Sequence, residues 1–263
     1  MNILISNDDG VQARGLQELA RALHQDAGAS IYVCAPDGQR SASGHGITMN
    51  ERIEVSEVIL DNVEIAYQTS GLPADCVKIG MEFFPRAGVH IDMMFSGINH
   101  GGNLGTDTLY SGTVSAALEG SICGVPSVAV SVDSHKATHF DYACELAVNA
   151  ARALEKQIRE GTANHQTVLN INVPDVPKDQ VKGLRYTSLG ERKYTEEFIS
   201  MEDGGAVELP GSFQYGGTPI FYHDLPERFD VIAHQSGYAT ITPIHIDLTD
   251  YDMIDEIKTW GLG

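Results

Sequence analysis

Residues 1–36, MNILISNDDGVQARGLQELARALHQDAGASIYVCAP, decide the fold. The apolar run Ile3 to Ile5 reads as a short buried strand. GLQELARALHQ (15–25) then sets Leu16, Leu19, Ala20 and Leu23 at i, i+3, i+4 and i+7, the stripe of an amphipathic helix. SIYVCAP (30–36) reads as a second strand, closed by Pro36. Strand, helix and strand within so short a span make a βαβ unit, with parallel strands and a right-handed crossover.

The same rhythm continues down the chain. HIDMMFS (90–96), SVAVSV (127–132) and TVLNINV (167–173) read as strands, and TVSAALEGSICG (113–124) and DYACELAVNAARALEKQI (141–158) as helices. This alternation predicts an α/β fold, a doubly wound and mostly parallel sheet with helices on both faces. Between the second and third core strands lie short β-rich pieces at 47–55 and 63–69, followed by a helix in PADCVKIGMEFF. Beyond residue 183 the rhythm breaks. The stretch 184–236 carries Gly204, Gly205, Pro210, Gly211, Gly216, Gly217, Pro219 and Pro226, with no helix-length periodicity. YATITPIHIDLT (238–249) reads as a strand pair or a strand bent at Pro243, and DYDMIDEIKTW (250–260) as a terminal amphipathic helix. The expected organisation is one domain over 1–263, a core of 1–183 and a β-rich arm with its helix over 184–263.

Bulk properties narrow the function. The chain has 263 residues, enough to bury a large core, and is 42% hydrophobic. Its 17 Lys+Arg against 36 Asp+Glu give a formal charge of −19, which repels a nucleic-acid polymer. A small phosphate ester would need a local positive centre, and a bound divalent ion is the simplest one. Cys34, Cys76, Cys123 and Cys144 show no CxxC and no zinc-ligand spacing, and are expected to be buried small hydrophobes. With no basic-then-apolar leader and no run of about 18 apolar residues, the expected setting is cytoplasmic, away from membranes.

In an open parallel sheet, ligands bind outside the carboxyl ends of the strands. The first three core strands are followed by Asn7-Asp8-Asp9-Gly10, by DGQRSASGHG (37–46) and by GINHGGNLGTDTLYSGT (97–113), all rich in oxygen ligands, amides and glycine. Two like charges about 5 Å apart repel by roughly 3 kcal/mol at an effective dielectric near 20. Asp8 and Asp9 therefore need water or a cation. Read by itself, NDDG is equally a solvated turn before a capped helix; read with the other two loops, it offers hard oxygens suited to Mg²⁺, Mn²⁺ or Ca²⁺. The 17-residue third loop ends in Ser111-Gly112-Thr113 directly before a helix, where free NH groups and hydroxyls receive an anion. His45 and His100 lie in these loops as candidates for proton transfer. No GxGxxG follows the first strand, and no GxxxxGK[ST], GxSxG or HExxH is present.

ILISNDDG, APDGQRSASGHGIT (35–48), SGINHGGNLGTDTLYSGTVSAALEG (96–120), LNINVPDVP (169–177) and GYATITPIHIDLT together resemble the survival protein E (SurE) family of metal-dependent nucleotidases, in order and over essentially the whole chain. The resemblance implies a Rossmann-like core, one divalent metal ion per subunit (Mg²⁺, Mn²⁺ or similar), and 5'-nucleotidase hydrolysis of nucleoside monophosphates. Other phosphate esters or short polyphosphate are implied as further substrates. It also implies a homodimer or homotetramer built by exchange of the C-terminal arm. Carried onto this sequence, the metal ligands fall on Asp8, Asp9, Ser41 and Asn99, with Asp8 and Asp9 also catalytic. The phosphate contacts fall on Asn103, Ser111, Gly112 and Thr113. Ser43 lies in the same loop as Ser41, the choice resting on the register of the preceding arginine. Arg14 departs from the pattern, since many members carry proline there. Two rivals follow from the same residues: a phosphatase with Asp8 as nucleophile, disfavoured because that chemistry wants DxD and this chain has DD, and a non-catalytic nucleotide or metal sensor.

Overall fold

A computed structural model describes residues 1–195, 198–201, 211–220 and 226–262. Gly204, Gly205 and Pro210 lie outside the described residues. In chain order the strands are β1 (Asn2–Ser6), β2 (Ser30–Pro36), β3 (Val55–Val58), β4 (Ile65–Thr69), β5 (Met93–His100), β6 (Ser127–Val132) and β7 (Thr167–Val173). These are followed by β8 (Leu184–Tyr186), β9 (Phe198–Ser200), β10 (Phe213–Tyr215) and β11 (Ala239–His245). The helices are α1 (Arg14–Gln25), α2 (Pro73–Arg86), α3 (Gly112–Ile122), α4 (Asp141–Glu160), α5 (Asp230–Gln235) and α6 (Tyr251–Ile257).

Nine strands form one sheet in the order β3-β4-β2-β1-β5-β6-β7-β11-β8. From β4 to β7 every pairing is parallel; β3 and β11 join their inner neighbours antiparallel, and β8 runs parallel to β11. The chain therefore winds outward from β1 through β2 to β4, then returns to lay β5 on the other side of β1. That reversal is the switch point at which open α/β sheets bind ligands.

The pleat sorts the core. Ile3 and Ile5 pack with Leu16, Leu19 and Leu23 of α1 and Ala143 and Ala147 of α4 on one face, while Leu4 between them packs with Cys76 and Val77 of α2 and Val114 and Ala117 of α3 on the other. Helices thus cover both faces, as the alternation predicts.

Some boundaries differ from the sequence reading. The strand expected at 47–55 lies at 55–58, because Ile47 and Met49 are exposed and Thr48 is tied by its amide and hydroxyl to the Asp75 carboxylate of α2. β5 runs on to His100, past the expected end at 96. Gly97 permits this: at φ +130°, with the position of a Cβ only 2.2 Å from Val130 O, it allows the register shift after which Asn99 and His100 pair with Ser131 and Val132. Gly105–Leu109 forms a 3₁₀ turn, so the expected 17-residue loop is mostly ordered structure. Cys123 is exposed, contrary to expectation, because it caps the end of α3, outside its packed face.

Beyond residue 183, β8, α5 and β11 attach to the main sheet, whereas β9 and β10, among the described residues, pair with each other and with no other strand. β11 is one strand through Pro243, which pairs with Leu169 at a point where β8 has already ended. A proline needs no ladder partner on an open edge. The helix α5 was hidden in a segment read as turns, being only six residues long.

Candidate functional site

β1 ends at the buried Ser6, and Asn7 makes the turn that follows: its Nδ2 donates to Gly10 O (2.9 Å), and Gly10 N donates to its Oδ1 (3.2 Å). Gly10 stands at φ +102°, with the position of a Cβ 3.1 Å from Gly38 Cα, so only glycine lets this turn press against the loop after β2. Arg40 N donates to Asp8 O (2.7 Å), fastening the two loops together. Ser41 follows, its Oγ accepting from Gln39 Nε2 (2.9 Å).

From the other side of β1, α3 meets the same point. Ser111 is its N-cap, with Oγ accepting from Val114 N (3.0 Å). Thr113 Oγ1 donates to Asp8 Oδ1 (2.5 Å). Gly112 lies flat against the carboxylate, a Cβ there falling 2.8 Å from Asp8 Cβ and 2.8 Å from Ser43 Oγ. Any larger residue would displace Asp8.

Asp8, Ser41, Asn99, Asn103 and Ser111 all line one cavity of about 360 Å³ at the carboxyl ends of β1, β2 and β5. Asp9 turns aside: its Oδ2 accepts from His100 N (3.0 Å) and lies 3.0 Å from His100 Nδ1, and His100 itself lines the cavity. Asn99 Nδ2 donates to Gly101 O (2.8 Å). Asn103 is held from every side, its amide NH₂ donating to Ser131 Oγ (2.8 Å), its N–H to Asn172 Oδ1 (2.7 Å), and its carbonyl accepting from Asn170 and Asn172 (2.8 and 3.1 Å). His45, at the far end of the second loop, reaches away from the cavity to the buried Glu119 of α3 (2.9 Å), which Lys78 also meets at 2.7 Å. Arg14 opens α1 beside Glu18 (3.6 Å) and Phe140, clear of all these groups.

Burial pushes the Asp8 carboxyl up to about 6; Thr113's hydroxyl opposes the rise and the neighbouring charge of Asp9 adds to it. Ser43 Oγ is buried with no hydrogen-bond partner among the described residues. A desolvated carboxylate, an unpaired hydroxyl, a second hydroxyl and a carboxamide are hard oxygens, the donor set of Mg²⁺ or Mn²⁺. Among the described residues no three His, Cys, Asp or Glu side chains converge as a metal cluster, so a nitrogen- or sulfur-rich site has no counterpart there. The residues present fit a hard divalent cation.

The sequence reading missed several groups. Asp133 follows β6, accepts from Gly102 N (3.0 Å) and meets His234 Nε2 at 3.1 Å. Burial alone would raise its carboxyl, but the hydrogen bond and charge of His234, the Arg192 guanidinium and the Gly102 amide hold it at about 2. Its signal was legible, an acid directly after a strand. Arg192, Asp107 and Tyr194 also line the cavity, Arg192 supplying a positive centre 3.3 Å from Asp107. Arg192 and Tyr194 come from a segment without periodicity, which offers no such signal.

Comparison with known proteins gives the chain's family. The family profile "Survival protein SurE" matches residues 3–196. The chain is 38% identical over 260 residues to "5'-nucleotidase SurE" of Petrotoga mobilis, covering 99% of each. It is 40% identical over 261 residues to "5'/3'-nucleotidase SurE" of Citrobacter koseri, covering 99% of this chain and 96% of that one. The crystal structure of the SurE protein from Aquifex aeolicus superposes with a TM-score of 0.80 at 32% identity over 99% of both chains. The family match, the identity along the full length and the shared overall fold lead to one conclusion: this chain belongs to the SurE family.

Proposed function

We propose that the chain is a divalent-metal-dependent phosphomonoesterase of the 5'-nucleotidase type, releasing nucleoside and phosphate from nucleoside monophosphates. Other phosphate esters and short polyphosphate are further substrates on this reading. The observation that carries it is the meeting of the buried Asp8, on the Thr113 hydroxyl, with Ser41, Asn99 and Ser111 around one cavity beside the start of a helix. The names of the relatives support the same substrate class.

Asp8, Ser41 and Asn99, which line the cavity, would hold one divalent ion, Mg²⁺, Mn²⁺ or similar, and Asp9, which accepts from His100, would have to turn from it to complete the set. The chemistry such an ion supplies when bound is Lewis acidity, which lowers the pKa of water and offsets charge building on phosphoryl oxygens. Thr113 keeps the Asp8 carboxylate turned toward the cavity. Ser111 and the Gly112 amide, ahead of the first intrahelical bond from Ser115 N to Ser111 O, face a phosphate with the positive end of α3. Asn103, immobilised by Asn170, Asn172 and Ser131, fixes the opposite wall. Arg192 brings the positive charge that an anionic ester needs in so acidic a protein.

We also propose a homodimer or homotetramer made through the 184–263 arm, supported by the exposed Phe198 and Ile199 of β9 and by α6, none of whose residues is buried.

Phosphate release from a nucleotide panel, crossed with Mg²⁺, Mn²⁺ and Co²⁺ after chelation, tests the activity. Asp8→Asn should lower kcat/KM by roughly a hundredfold or more, since disturbing even a residue behind a metal ligand costs about 10- to 100-fold. Near-wild-type turnover by that variant at limiting Mn²⁺ would refute the assignment. A wild-type protein that releases no phosphate with any metal would favour the sensor reading.

A further inference from the structure

The loop that carries Ser41 and Ser43 has no apolar anchor. Residues 37–54 form neither helix nor strand, and none of them is buried. Polar contacts therefore set where the two hydroxyls stand. Arg40 N reaches Asp8 O at one end of the segment, and Gly44 N donates to Tyr110 O (3.0 Å) at the other. Gly46 N then donates to Ser43 O (3.3 Å), closing a turn with His45 inside it.

His45 fastens that turn to α3. Its Nε2 lies 2.9 Å from Glu119 Oε2, and Lys78 Nζ of α2 meets the other oxygen at 2.7 Å. Burial works to raise the Glu119 carboxyl, but the hydrogen bonds and charges of His45 and Lys78 outweigh it and hold the group below the usual carboxylate range. An ionised carboxylate only accepts, so His45 Nε2 carries the proton and donates. Glu119 stands seven residues after Gly112, two turns on along the same side of the helix. The loop thus runs down one side of α3, from Ser43 against Gly112 to His45 on Glu119.

On the reading that Ser41 is a ligand of a divalent ion, from which this step follows, we infer that His45 is a positioning residue: by donating to Glu119 it holds the Ser41–Ser43 segment against the start of α3, on the wall of the cavity that Asp8 shares. His45 itself stands outside that cavity, so its effect falls on metal affinity. A group behind a metal ligand commonly sets that affinity by about 10- to 100-fold. Removing the imidazole does not strand the buried acid, because Lys78 still pairs with it.

The test is Mn²⁺ affinity by equilibrium dialysis, with phosphate release from AMP followed across Mn²⁺ concentrations, in wild type, His45→Ala, His45→Gln and His45→Asn. Glutamine places its amide nitrogen near the position of the imidazole Nε2, whereas asparagine is too short to reach Glu119. His45→Ala and His45→Asn should bind Mn²⁺ about 10- to 100-fold more weakly, and the turnover they lose at limiting Mn²⁺ should return as Mn²⁺ is raised. His45→Gln should bind as wild type does. Equal affinity in wild type and His45→Ala overturns the inference, as does a His45→Gln variant as weak as His45→Ala. Should His45→Ala fail to fold, the contrast between His45→Gln and His45→Asn carries the test, and equal affinity in those two overturns it. A wild type that binds no Mn²⁺ defeats the metal reading itself and this role with it, an outcome distinct from a variant that matches a binding wild type.

Discussion

Asp8 and Asp133 are two carboxylates on the rim of one sheet whose surroundings drive them in opposite directions. Burial and the charge of Asp9 raise Asp8, whereas His234, Arg192 and Gly102 outweigh burial at Asp133. An acid held below its unfolded value adds stability that is complete above that value, near 3.8, and disappears as pH falls through the folded one, near 2. The difference corresponds to at most about 2 kcal/mol, because nearly a third of the Asp133 side chain is open to solvent. Urea unfolding between pH 4 and pH 2 should therefore fall more steeply for wild type than for Asp133→Asn, and the two curves should converge at the acid end. Parallel curves would mean that the His234 contact contributes nothing. Ser43 is a different case at this scale: sequence favoured Ser41 by register, and the burial that leaves Ser43 Oγ without a partner is visible only once Gly112 has been laid against it.

At the scale of elements, α1 and β5 approach so closely that a Cβ on Gly15 would fall 1.9 Å from Ile98 O. Gly15→Ala should destabilise the protein by about 2 kcal/mol or more through overpacking, exceeding the roughly 1 kcal/mol that alanine returns in helix propensity. Ile98 precedes Asn99, so kcat should fall as well; an unfolding midpoint at or above wild type would show that the helix slides without penalty. This contact explains what could be read beforehand and what could not. The periodic apolar stripe of α1 announces itself because it buries a face that only one period satisfies, and β6 and β7 do so as short runs rich in Val and Ile whose residues are buried on both faces. β3, by contrast, is an edge strand with exposed residues, and its place depends on Asp75 gripping Thr48 from another element. β5 beyond Ser96 depends on what Gly97 avoids at Val130. The rim loops were legible as chemistry, since oxygen-rich residues follow each strand. The turn of Asp9 toward His100, and the arrival of Arg192 and Tyr194 from a distant segment, are tertiary facts with no local pattern to carry them.

At the scale of the whole molecule, no helix among the described residues is long and apolar enough to cross a membrane. Yet α6 leaves Tyr251 and Ile254 exposed, together with Ile257 at its end and Trp260 just beyond. Water is a poor neighbour for such a face, and a second copy is the proposed cover. The pair Ile254→Asp and Ile257→Asp should reduce the molar mass measured by light scattering to that of a smaller species; a wild type already at 28.4 kDa would dispose of the proposed assembly. Asp8 and Ser111 are all but sealed at the floor of the cavity, while Tyr110 beside them stands open at 65% exposure. On the proposed activity, inorganic phosphate is the product lodged deepest, and it should inhibit in competition with the nucleotide.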